Sequence, residues 1–87
     1  MNFENIHNYY EKLVIDHLTD HAGSGVDNRD QDFLEDVACV ALNRLPTRYV
    51  RYDVDTAFYM SDEEHGKMQE QVRTAVKEAL EYVRNNP

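Results

Sequence analysis

Three arginines, Arg44, Arg48 and Arg51, fall within eight positions of each other, and Tyr49 and Tyr52 interleave with them. Guanidinium groups fork phosphate oxygens or a guanine edge with two hydrogen bonds, and a phenol ring stacks on a base. Residues of these types at this spacing suit a small anion that carries rings. A second reading stands beside it. Arg44 complements the dipole at the end of a helix, while Arg48 and Arg51 pair with the many acids of the chain. On residue types alone, surface pairing is the commoner outcome. Asp36 and Asn43 lie just upstream, placed either to read base edges or to stiffen the segment.

Other constellations carry less chemistry. His17 and His21 are four apart, a spacing that can offer two imidazoles to a metal, with His7, Asp16 and Asp20 close in sequence. Both histidines continue an apolar stripe, so packing is the simpler reading, and folding is expected to need no bound metal. Cys39 sits inside an apolar run with no base within one turn to lower its pKa, so it reads as a small buried hydrophobe. Acid pairs such as Asp53/Asp55 and Glu63/Glu64 are ordinary for an acidic surface. No Ser-His-Asp set and no glycine-rich phosphate loop appears. The expectation is a protein without a catalytic site, not an enzyme.

The elements that must position the arginines follow from periodicity. Phe3, Ile6, Tyr10, Leu13, Val14, His17, Leu18 and His21 recur every three or four residues, which predicts a first helix over roughly Asn2 to His21. Gly23 suits its closure, and Asp27, Asn28 and Asp30 offer caps for the next helix. That second helix spans about Arg29 to Arg44. Its run from Val37 to Leu45 is apolar almost all round, as in a helix enclosed by neighbours. Pro46 ends it, because proline lacks an N–H and disfavours helical geometry at Leu45. The arginines and tyrosines then form a basic, aromatic elbow.

Tyr49 to Val54 and Thr56 to Tyr59 are rich in β-branched and aromatic residues, which predicts two short strands with a loose turn over Asp53 to Thr56. Ser61 and Glu64 have capping-box spacing and open a third helix that runs to about Arg84. Its stripe of Met68, Val72, Ala75, Ala79 and Val83 forms a seam. The predicted fold is mainly α: a small three-helix domain, residues 1–87, with a short extended or β insert between helices 2 and 3.

An 87-residue chain has a small core, and its helices carry more apolar surface than it can readily enclose. A homodimer formed through the seam from Met68 to Val83 is therefore expected. The net charge of −8 argues against direct nucleic-acid binding, which needs clustered cations. One cysteine cannot form an internal disulfide. No run is long enough to span a membrane, and no hydrophobic leader is visible, so the expected location is cytoplasmic.

Asp36-Val37, Ala41-Leu42-Asn43-Arg44-Leu45-Pro46 and Arg48-Tyr49-Val50 together resemble the central motif of the ComFB family of late competence development proteins. The order of elements is similar over most of the chain. The resemblance implies a receptor for cyclic dinucleotides such as cyclic di-GMP, passing a signal to a downstream protein. It carries the ligand-binding role onto Asp36, Asn43, Arg44, Leu45, Pro46, Arg48 and Tyr49, to which the local cluster adds Arg51. Some ComFB-like proteins hold several cysteines suited to zinc between the first two helices. This chain has none there, so neither a metal nor a cofactor is expected. The competing function is a helical protein–protein adaptor with no nucleotide ligand.

Overall fold

The computed structural model describes residues 1–22 and 31–86. The expected closure at Gly23, the caps at Asp27, Asn28 and Asp30, and the start of the second helix at Arg29 lie outside the described residues. In order, the elements are β1 (His7–Asn8), α1 (Tyr9–Ala22), α2 (Gln31–Arg44), β2 (Tyr49–Val50), α3 (Asp53–Tyr59) and α4 (Asp62–Asn85). The fold is mainly α, with four helices and one two-stranded antiparallel sheet among the described residues.

Helix α4 is the spine. Ser61 caps its start: the hydroxyl oxygen accepts the Glu64 N–H at 3.1 Å. Met68, Val72, Ala75, Val76 and Ala79 are buried along one side. They pack against Tyr9, Tyr10, Leu13, Val14 and Leu18 of α1, and Val37 and Ala41 of α2. Full burial of one such Val or Leu side chain contributes about 1.5–3 kcal/mol. The seam from Met68 to Val83 is thus spent on the chain's own core, which corrects the expectation that it is free to pair two copies.

Three further expectations are revised. Helix α1 starts at Tyr9, not Asn2, and Phe3 and Ile6 are exposed at 64% and 51%. An asparagine-based capping box sets this start. Asn8 Oδ1 accepts the Tyr10 N–H at 3.2 Å, and the Glu11 carboxylate takes the Asn8 N–H at 3.0 Å. Helix α2 is not enclosed: Val37 and Ala41 are fully buried, but Cys39 is exposed. Three mutually packed helices each keep an outer face, so none can be surrounded.

The third revision concerns the insert. Only Tyr49–Val50 forms a strand, and it pairs with β1 rather than with a following strand, His7 opposite Val50 and Asn8 opposite Tyr49. Asp53–Tyr59, which includes the expected second strand, is helical. The Thr56 N–H and hydroxyl both donate to the Tyr52 carbonyl, each at 3.2 Å, and Asp53 and Asp55 suit the positive end of the helix dipole.

Candidate functional site

The elbow runs from the end of α2 through β2. Leu45 is buried, and its N–H still donates to the Ala41 carbonyl at 3.1 Å, so it anchors the turn from inside. Pro46 and Thr47 are exposed beyond it. The backbone of Arg48 is then held on both sides. Its N–H donates to Asn8 Oδ1 at 3.0 Å, and its carbonyl accepts the Tyr9 N–H at 2.8 Å. Asn8 is the one buried polar residue among those described, and it links helix start to elbow.

Strand alternation sorts the side chains. Val50 turns partly inward, while Tyr49, 68% exposed, and Arg51 share the outer side. The Arg51 guanidinium lies 4.8 Å from the centre of the Tyr52 ring. Arg48 reaches toward α4, 3.9 Å from Glu64. Arg44 lies 3.5 Å from Glu78 and 5.4 Å from the centre of the Tyr82 ring.

Arg44 and Arg48 therefore do not converge. Their partners on α4 are separated by about 21 Å of helix rise. Arg44 and Arg48 are thus spread along the spine, while Arg51 stays beside Tyr52. Shallow grooves lie on either side of Pro46. One, of about 310 Å³, runs beside Arg44, Gln71 and Glu78. The other, of about 320 Å³, runs beside Arg48, Glu64 and Lys67. Tyr10 forms the floor of the second and donates its hydroxyl to Gln71 Oε1 at 2.7 Å. Burial pushes the Tyr10 phenol pKa up, with the Arg48 charge opposing. The phenol thus remains a neutral donor at physiological pH.

Asp36 and Asn43 are exposed, two turns apart on one face of α2. Asn8 braces the elbow, through its bond to the Arg48 N–H. Sequence reasoning missed Asn8, Glu11 and Lys67. The first two had a visible signal, since Asn8-Tyr9-Tyr10-Glu11 has capping-box spacing. Lys67 had none, because the face that α4 turns to the elbow is set by packing.

Elsewhere, His17 is half-buried on α1, and the His21 side chain lies outside the described residues. Among the described residues, no group of three or more His, Cys, Asp or Glu is placed to hold a metal. Nor, among them, is any helix long and apolar enough to cross a membrane.

The family model for late competence development protein ComFB matches residues 7–87. The match begins at β1, so it takes in both strands and every helix described above. No curated protein and no solved structure gives a significant match. A family match over nearly the whole chain, including Asn8 and the complete elbow, settles membership: this chain belongs to the ComFB family.

Proposed function

We propose that this protein is a non-catalytic cytoplasmic receptor for a cyclic dinucleotide of the cyclic di-GMP type, acting as a homodimer that signals to a downstream protein. The observation that carries the reading is an elbow with a clamped backbone and loosely held cations. Arg44 and Arg48 make only partly exposed pairs with Glu78 and Glu64, at 3.5 and 3.9 Å. Surface pairs of this kind contribute about 0–1 kcal/mol. A charge-assisted hydrogen bond to phosphate is worth about 1.5–3 kcal/mol. An incoming phosphate therefore outcompetes the acids, while Tyr49 offers an exposed ring for a base.

The separation of the arginines favours two copies over one. A cyclic dinucleotide has two phosphates related by near two-fold symmetry, and a symmetric dimer meets each with the same residue. The dimer surface moves from α4 to α3. Val54, Phe58 and Tyr59 are exposed at 79%, 80% and 82%, and Tyr49 and Tyr52 precede them in the chain. Together these five expose on the order of 600 Å² per chain, against about 800 Å² per partner in a standard interface. These side chains lie among Arg51, Asp53 and Asp55 and follow the elbow directly, so pairing through them brings two elbows together.

Calorimetric titration with cyclic di-GMP and, separately, cyclic di-AMP tests the reading. Saturable heat with either supports the receptor. Silence with both overturns it and leaves the protein–protein adaptor.

A further inference from the structure

Helix α3 has little beneath it. None of its side chains is buried, and a seven-residue helix does not hold itself together in water. Its C-terminal end is fixed by Met60, which is buried in the core and whose N–H reaches the Thr56 carbonyl at 3.1 Å. Its N-terminal end is fixed by Asp53, whose Oδ1 lies 2.5 Å from His7 Nε2. The other ring nitrogen, Nδ1, lies 2.9 Å from the Asn5 carbonyl oxygen. A carbonyl and a carboxylate only accept, so both ring nitrogens must carry hydrogen, and the imidazole is a cation in this arrangement.

We propose that His7 and Asp53 form a proton-operated latch, closed when both imidazole nitrogens carry hydrogen and open when one is lost. Opening leaves the Nε2 lone pair facing the carboxylate. The first turn of α3 then leaves β1, and the segment of Arg51 and Tyr52 is freed with it. The core helices stay packed, since they share no side chain with the latch. The charged surroundings are consistent. Asp53 faces the ring from α3, Glu11 lies nearby on α1, and Lys12 acts on Asp53 from the same turn. Strand β2, bracketed by Arg48 and Arg51, runs alongside at Val50.

The hydrogen bond to Asp53, and then the one to the Asn5 carbonyl, hold the His7 pKa above its ordinary value of 6.5. The closed state thus binds the proton more tightly than the open one. Its contribution is complete below about pH 6.5 and is lost as pH rises through the folded midpoint of His7.

Ring and amide NMR spectra of the full chain, with hydrogen-exchange protection of α3, would be followed from about pH 5 to about pH 9. The expected result is a loss of α3 protection centred on the His7 midpoint, with α1 and α4 unchanged. Asp53→Asn should lower that midpoint and remove the inflection in α3; His7→Gln should remove the inflection as well. An unchanged midpoint in Asp53→Asn, or α3 protection without an inflection in the parent chain, overturns the latch. No ligand enters these measurements, so their outcome is separate from that of the receptor reading.

Discussion

Asn8 and Arg48 are joined by a side-chain-to-backbone hydrogen bond of 3.0 Å across forty residues of chain. The same Asn8 oxygen accepts the Tyr10 N–H that opens α1. One acceptor with two lone pairs therefore serves both the start of a helix and the entry to the elbow.

Asn8→Ala removes both bonds and strands the partly buried Arg48 N–H. A lost cap costs about 1 kcal/mol, and an unsatisfied buried donor about 1–3 kcal/mol. Chemical denaturation should show a loss of roughly 2–3 kcal/mol. Asn8→Asp keeps the acceptor and should recover most of it. Equal stability of Asn8→Ala and the parent chain would show that the clamp contributes nothing.

Ser61→Ala should lower the stability of α4 by about 1 kcal/mol, read as a fall in melting temperature. The reciprocal half of that box is not formed, because the Glu64 carboxylate is turned toward Arg48. Glu64→Gln should therefore leave stability close to that of the parent. A large drop in Glu64→Gln would instead place Glu64 in the cap.

Because Arg44 and Arg48 do not converge, one of the two meets the phosphates: Arg48→Ala or Arg44→Ala should weaken cyclic-dinucleotide binding by about tenfold or more, as expected for loss of one charge-assisted contact. In a symmetric dimer each substitution occurs twice, which increases the loss. Glu78 does not serve as a neutral control here, since it pairs with Arg44. Thr19, exposed on the side of α1 that borders α2 away from the elbow, takes that place, and Thr19→Ala should bind as the parent does. Unchanged affinity in both arginine variants, with the fold intact, would move the ligand elsewhere.

Sedimentation equilibrium at micromolar concentration should give twice the chain mass. Phe58→Asp puts a charge into the α3 patch and should give the single-chain mass, while the helical circular dichroism of the monomer core is retained. A dimer that survives Phe58→Asp would exclude α3 as the interface.

Much of this was legible in residue order. Pro46 marked the end of α2, Ser61 marked the start of α4, and the stripe through Met68, Val72 and Ala79 marked the buried side of the longest helix. Strand β1 could not be read, because two residues carry no alternation to detect. Thr56 to Tyr59 have strand propensity, but α3 satisfies its backbone locally through the Tyr52 carbonyl without needing a partner strand. The arginines illustrate a further limit. Their closeness along the chain was plain, but the spread of Arg44 and Arg48 along α4 depends on which acids the packed helix presents.

The two-residue ladder between β1 and β2 has a consequence for the order in which the chain assembles. Contacts between α1 and α4 close a longer loop than the ladder does, but burial of many apolar side chains offsets that entropy. The ladder closes its loop for a handful of hydrogen bonds, each worth about 1 kcal/mol net. It is the least rewarded of the distant contacts and forms after the helices have docked. By the same reasoning it is the first to open in the native state, so the elbow can change shape while the helical core remains folded.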